Sequence, residues 1–207
     1  MLVNGPKNAE HSFIFAHGAG AGMDHEFMTQ VAEGLADKGV QVFRFEFPYM
    51  LKRREDGKRR PPDRADKLLC AFRQQIATVP HHGKLFIGGK SMGGRMASLL
   101  AMEEDLDPDI CGIICLGFPF HPPAKPEKLK GSHLAEIPLP TLILQGERDN
   151  MGTAEELAQF SFSKAVKLQI LEDGDHSFKP RKRSGYSQQG HLHTTIEAIF
   201  GFILNTK

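Results

Sequence analysis

Cysteine is scarce in this sequence: Cys70, Cys111 and Cys115 are the only three, an odd number with no CxxC spacing. That excludes a disulfide framework and the common thiolate metal and redox motifs. What remains is free thiols, expected buried, one in a helical pattern and two in an apolar strand. Long hydrophobic runs are missing too, since no segment approaches the roughly 18 apolar residues that span a bilayer. The opening MLVNGPKNAEHS lacks the charged start and apolar stretch of a secretory signal, so a cytoplasmic location is expected. Nor does charge of one sign dominate. Lys and Arg number 26 against 25 Asp and Glu, a net charge of +1, which gives no global pull toward nucleic acid or a membrane. Internal repeats and low-complexity linkers are absent, so a single domain over 1–207 is expected.

What is present suits a full-sized globular core. Hydrophobic residues make up 40% and charged residues 25% of 207, and a domain of this length removes roughly 70% of its unfolded surface from water. Short apolar runs alternate with amphipathic segments: strand HSFIFAH, helix HEFMTQVAEGLADKG, strand VQVFRFEF, helix PDRADKLLCAFRQQIATV, strand KLFIGG and helix GGRMASLLAMEED. Strands ICGIICLGF and PTLILQG, a short helix TAEELAQF, strand VKLQILED and a closing helix HTTIEAIFGFIL follow. Strands apolar on both faces and separated by helices predict an α/β fold, a mostly parallel sheet covered on both sides. The stretch from Phe118 to Pro140, rich in proline and lysine, reads as a surface excursion. Two basic loops, 52–60 and 179–183, are either simply solvated or poised for an anionic substrate or partner.

The segment LFIGGKSMGG can be read around Lys90, as the tail of a phosphate loop, or around Ser91, as GxSxG. A Walker loop requires glycine six residues before its lysine, and that place holds Lys84; the residues between are stiff strand material. Ser91 fits its surroundings better, because it lies between an apolar strand and a helical pattern beginning at Met92 or Gly93. A sharp strand-to-helix turn exposes a nucleophile, and Gly89 and Gly93 flank it where a Cβ would collide across the turn. Gly94, Ala97 and Ser98 keep the start of the helix thin. The Met92 N–H at the helix amino terminus is a candidate oxyanion donor.

A nucleophilic serine needs a base and an acid on loops after later strands. TLILQGERD places Asp149 beyond a strand end, and VKLQILEDGDHSF places His176 in the corresponding next loop. His176 would take the proton from Ser91 while Asp149 fixes the imidazole tautomer and stabilises the imidazolium. Glu147 is the rival acid but lies closer to the strand, and Asp173 and Asp175 lie too near His176 in sequence. The pairs His81 with His82 and His191 with His193 have no third ligand at matching spacing, so no metal site is expected and these read as surface histidines.

FIFAHGAGAGMD follows the first clear strand. A dinucleotide fingerprint would need glycine or alanine where Met23 stands, although Glu46 mimics the ribose-binding acid. As an HGxG segment beside the serine turn, the loop would instead direct the N–H of Ala19 or Gly20 inward as the second oxyanion donor, with His17 anchoring the loop. No cofactor is expected.

Together HGAGAG, GGKSMGG, LILQGERD and GDHSF resemble the α/β-hydrolase superfamily over nearly the whole chain. GGKSMGGRMAS with FEFPY is similar to small bacterial hydrolases related to dienelactone hydrolase and to a testis-expressed protein 30-like group. The resemblance implies Ser91 as nucleophile, Asp149 as acid and His176 as base, in a minimal core without a separate lid domain. Dienelactone hydrolases carry a cysteine nucleophile, so their substrate is not implied where Ser91 stands. The expected function is hydrolysis of an ester, thioester or related acyl bond of a small-molecule substrate, carboxylesterase or thioesterase in type. Phe47, Tyr49, Phe118 and Phe120, each following a strand end, either line the acyl pocket or pack the loops. The alternative is a hydrolase-fold interaction module, suggested by the two basic loops and by relatives that act in protein complexes.

Overall fold

The computed structural model describes residues 1–206. Strands β1 (Leu2–Asn4), β2 (His11–Ala16), β3 (Gln41–Phe45), β4 (Lys84–Lys90), β5 (Ile110–Leu116), β6 (Thr141–Gly146) and β7 (Val166–Leu171) form one seven-stranded sheet. Its order is β1-β3-β2-β4-β5-β6-β7, with β1 antiparallel to β3 and every other pairing parallel. The helices are α1 (Glu26–Ala36), α2 (Pro48–Asp56), α3 (Ala65–Thr78), α4 (Met92–Leu100), α5 (Ala154–Leu157) and α6 (Gln188–Asn205).

Alternation along each strand feeds both faces. Phe13 and Phe15 of β2 join Val42, Phe86, Leu142 and Leu144 against Phe27, Met28, Val31 and Leu35 of α1 and Leu192, Ile199 and Ile203 of α6. The intervening Ile14 and Ala16 point the other way, with Phe43, Phe45, Ile87 and Ile143, onto Leu68, Phe72 and Ile76 of α3 and Met96, Ala97 and Leu100 of α4. The α1 residues recur at the i, i+3, i+4 spacing of a one-faced helix. With both faces apolar, a register slip of one residue would gain nothing in burial but would displace every loop at the strand ends.

Several boundaries depart from the sequence reading. The basic segment 52–60 is a loop only in its second half. Residues 52–56 continue α2, which Pro48 opens at the first turn, where its missing N–H costs nothing, and Gly57 closes at φ 70°. α6 starts at Gln188, capped by the Ser187 hydroxyl, several residues before the predicted HTTIEAIF pattern. Cys70 is exposed and Cys111 half-buried, so only Cys115 is the buried thiol expected of all three. His191 is buried rather than a surface group, its Nδ1 donating to the Phe178 carbonyl at 2.8 Å. The 118–140 segment carries a 3-10 turn at Ser132–Ala135, and no separate lid domain stands among the described residues. No described helix is long and apolar enough to cross a membrane.

Candidate active site

Because the strands after β1 run parallel, the loops that leave their carboxyl ends meet along one edge of the sheet. Four of them converge, after β2, β4, β6 and β7. Ser91 occupies the turn between β4 and α4 with φ 52° and ψ −114°, a conformation that costs an L-residue on the order of 1–3 kcal/mol and survives only where its surroundings impose it. Here the surroundings do so by close approach. A Cβ on Gly89 would come within 2.5 Å of the Ala16 carbonyl oxygen, and one on Gly93 within 2.7 Å of the Ala16 carbonyl carbon, so β2, β4 and α4 are in backbone contact around the serine. The Ser91 N–H is bonded to the Leu116 carbonyl at 2.8 Å, which ties the turn to β5.

His176 Nε2 lies 3.0 Å from Ser91 Oγ, and His176 Nδ1 lies 2.7 Å from Asp149 Oδ2. A carboxylate can only accept, so Nδ1 carries the proton and Nε2 presents its lone pair to the serine hydroxyl. Asp149 is fully buried and its capacity is used on every side: Oδ1 accepts from the Met151 N–H at 2.9 Å and Oδ2 also accepts from Gln145 Nε2 at 2.9 Å. Gln145 was not singled out from the sequence. Its side-chain oxygen accepts from the Phe118 N–H at 2.7 Å, and the two hydrogens of its amide nitrogen are shared among the Phe118 carbonyl, the Gly152 carbonyl and Asp149. The available signal was a polar residue inside the otherwise apolar strand TLILQG, where a buried amide must find partners.

The rival carboxylates are occupied elsewhere. Glu147 Oε2 accepts from the Asp173 N–H at 2.5 Å and so braces the turn after β7. Asp173 pairs with Arg181 and with Arg148, and the Arg181 hydrogen bond holds its carboxyl down at about 2. Asp175 Oδ1 accepts from the N–H groups of Ser177 and Lys179 and shapes the turn that carries His176.

The loop after β2 is held by donors that pull its carbonyls one way. His17 is buried, its Nδ1 donating to the Gly18 carbonyl at 2.7 Å and its Nε2 accepting from the Phe47 N–H at 3.0 Å; burial lowers its pKa and keeps it neutral. The Tyr49 hydroxyl donates to the carbonyls of Gly18 and Ala19 at 3.3 and 3.0 Å, and Arg53 donates to that of Gly20 at 3.2 Å. In a trans peptide the N–H points opposite to the C=O, so the N–H groups of Ala19 and Gly20 face away from Tyr49. Both residues line, with Ser91 and His176, a cavity of about 630 Å³. Met92 opens α4, so its N–H has no partner four residues back in that helix. Glu46, the apparent ribose acid, instead accepts from the Met23 N–H and pairs with Arg54.

The cavity walls are Phe27, Met28 and Gln30 of α1, Gln188, Gln189 and Leu192 of α6, and Met151. The predicted pocket aromatics are not among them. Phe47, Tyr49, Phe118 and Phe120 are all buried in the core on the α3 and α4 face, where Phe47 packs at 5.0 Å from Phe45 and Phe118 at 4.8 Å from Phe120, ring centroid to centroid. Residues just past a strand end can turn to either face, and these rings take the dry one. Of the basic residues, Arg54, Arg60 and Arg181 are spent on Asp24 and Glu46, Asp56 and Asp173 respectively.

An alpha/beta hydrolase domain family matches residues 9–204 of the chain. Among solved structures, the chain is similar to Est1E from Butyrivibrio proteoclasticus with ferulic acid bound. That match has a TM-score of 0.70 and 16% identity, covering 99% of this chain and 95% of that one. It is also similar to a serine hydrolase without lid from Xanthomonas campestris, with a TM-score of 0.70 and 17% identity over 99% of this chain and 89% of that one. A dienelactone hydrolase from Anabaena variabilis matches with a TM-score of 0.68 and 21% identity over 97% and 90%.

Proposed function

The chain belongs to the α/β-hydrolase family, and we propose that it is a serine hydrolase that cleaves an ester or thioester of a small acyl substrate through an acyl-enzyme. The observation that carries this reading is the unbroken chain from Ser91 Oγ through His176 to buried Asp149, at 3.0 and 2.7 Å, opening on a cavity. His176 takes the serine proton as Oγ attacks the carbonyl carbon, and returns it to the leaving oxygen or sulfur. Water then repeats the cycle on the acyl-enzyme. The N–H groups of Met92 and of Ala19 or Gly20 receive the negative charge that develops on the carbonyl oxygen. A cavity of about 630 Å³ suits a small or medium acyl group, which Phe27, Met28, Met151 and Leu192 would contact.

A fluorophosphonate probe tests the reading. It should label the native protein and not Ser91→Ala, and a series of activated esters and thioesters of increasing chain length should then rank the acyl and leaving groups. A folded native protein that takes no label and turns over none of these esters would favour the interaction-module reading instead.

A further inference from the structure

Lys90, which precedes Ser91, has no part in the mechanism above. Lys90 is half-buried and lines the same cavity as Ser91 and His176, and a partly desolvated ammonium is costly without a carboxylate beside it. Lys90 makes no ion pair among the described residues. Its Nζ donates to the main-chain carbonyl of His176 at 2.6 Å and lies 5.6 and 5.8 Å from the ring centroids of Phe27 and Phe178. Gly117, just past β5, leaves room for this contact. It sits at φ 61°, and a Cβ there would fall 2.7 Å from Lys90 Nζ and 2.9 Å from the His176 carbonyl oxygen. The glycine thus meets a conformational need and keeps the slot open.

We infer that Lys90 is a positioning residue that clamps the main chain of His176 to the strand carrying Ser91. This rests on the serine-hydrolase reading of the site. The bonds within the 175–179 turn, Phe178 N–H to the Asp175 carbonyl and Asp175 N–H to that of Lys179, shape the turn without tying it to the sheet. The flanks of the turn are held from the loop after β6, by the Arg148 N–H on the Gly174 carbonyl, and from α6, by His191 on the Phe178 carbonyl, whereas Lys90 holds the His176 carbonyl itself, from the residue next to Ser91. The Lys90 side chain thus links the main chain of His176 directly to the strand end that carries Ser91, and so bears on the separation of Oγ and Nε2. Misplacement by about 1 Å can cost on the order of 100-fold in rate, so such a tether has catalytic weight.

The charge of the clamp also titrates. Burial lowers the Lys90 pKa to about 8, with Asp149 and Asp175 opposing the shift. The ammonium is intact at neutral pH and is lost as pH rises through about 8. The Phe27 ring from α1 and Phe178 and the His176 carbonyl from the turn after β7 face it, Asp149 and Asp175 act on it as charges, and the ionisable His176, His25 and Glu26 share its cavity.

Lys90→Met keeps the stem between the two rings and removes the donor. Loss of a charge-assisted bond should lower kcat at pH 7 by roughly 10- to 100-fold and leave KM within about threefold. Amide hydrogen exchange across 175–178 should quicken. The native protein should show a fall in kcat centred near pH 8 that the variant lacks, a signature that a purely packing role would not produce. Should Lys90→Met fail to fold, Lys90→Leu, apolar and without a donor, is read by the same kcat and exchange measurements: slower turnover with faster exchange supports the clamp, and unchanged values overturn it. A native protein that labels and turns over ester, beside a folded Lys90→Met with unchanged kcat and exchange, overturns the clamp and leaves the hydrolase reading intact. A native protein that does neither overturns the hydrolase reading, and the clamp's catalytic role with it.

Discussion

Replacing Asp149 by Asn tests the hydrogen-bond pattern around the acid, and the structure alters the magnitude expected of it. An Asn has one acceptor where Asp149 has two, and three donors converge there: Met151 N–H on one side, Gln145 Nε2 and His176 Nδ1 on the other. With the amide NH₂ toward His176, Nδ1 must become the acceptor and the proton moves to Nε2, the tautomer that costs on the order of 10⁴ in kcat in serine triads. That orientation also sets two NH₂ groups against each other, the one introduced by the substitution and that of Gln145. Gln145 cannot turn over to relieve the clash without losing its bonds to the Phe118 N–H and to the Phe118 and Gly152 carbonyls. The opposite orientation sacrifices only the Met151 bond and preserves the tautomer. Asp149→Asn should therefore keep Nε2 as acceptor and lose only the charge that supports the imidazolium, a loss of about 10- to 10³-fold in kcat, by the effect of one opposite charge on base strength. Adding Gln145→Leu frees the amide to turn and should bring the loss toward 10⁴, while Gln145→Leu alone costs less than about tenfold in rate and shows mainly as a lower melting temperature. Steady-state kinetics on an activated ester, with thermal melts as a folding control, would measure all three. A full 10⁴ loss in Asp149→Asn, with nothing added by the second change, would refute the reasoning.

Ser91→Ala, His176→Ala and the double variant should lose activity by a similar factor, on the order of 10⁶ where the assay reaches it, because attack and proton transfer share one step; losses that multiply would break the assignment. Leu192→Ala should shift the preferred acyl chain toward greater length in the ester series, whereas Phe118→Leu should lower the melting temperature and leave the preference unchanged; the reverse pattern would return Phe118 to the pocket. Asp173 has its pKa depressed in the fold, so its pairing with Arg181 and Arg148 stabilises above the ordinary carboxylate range and is lost as pH falls from about 4 to about 2. Melting temperatures across that window should fall less steeply in Asp173→Asn than in the native protein. Gly93→Ala should destabilise by about 3 kcal/mol in denaturant unfolding, since its Cβ meets backbone that cannot move aside; a neutral result would mean that the turn relaxes.

The architecture was legible because its causes are local. Two-faced apolar strands and one-faced helices each leave a period in the sequence, and Gly89 and Gly93 could be placed by asking what a side chain would strike. What escaped the sequence depended on direction. Phe47 and Phe118 follow strand ends just as Ser91 does, but nothing in their spacing says which face of the sheet their rings turn to, and they turn to the α3 and α4 face. The first half of the 52–60 segment read as a loop because its charges outweighed its caps. Pro48 and Gly57, at the two ends of α2, were the better evidence, since they constrain the backbone directly while exposed charges constrain little.

Choosing Asp149 over Glu147 shows how far strand periodicity reaches. Both lie just past β6, an even number of residues apart, so alternation alone would send their side chains to the same face. Past Gly146 the chain no longer alternates. The Asp149 N–H returns to the Gly146 carbonyl at 3.1 Å and the Gly152 N–H to that of Asp149 at 3.1 Å, two successive turns that swing Asp149 beneath His176. Glu147, still level with the strand, faces the neighbouring turn and bonds the Asp173 N–H. Distance along the loop therefore separated the two candidates only because the loop is a tight turn. The polar residue that betrays the arrangement is Gln145, whose amide requires partners within the core and finds one of them in the acid itself.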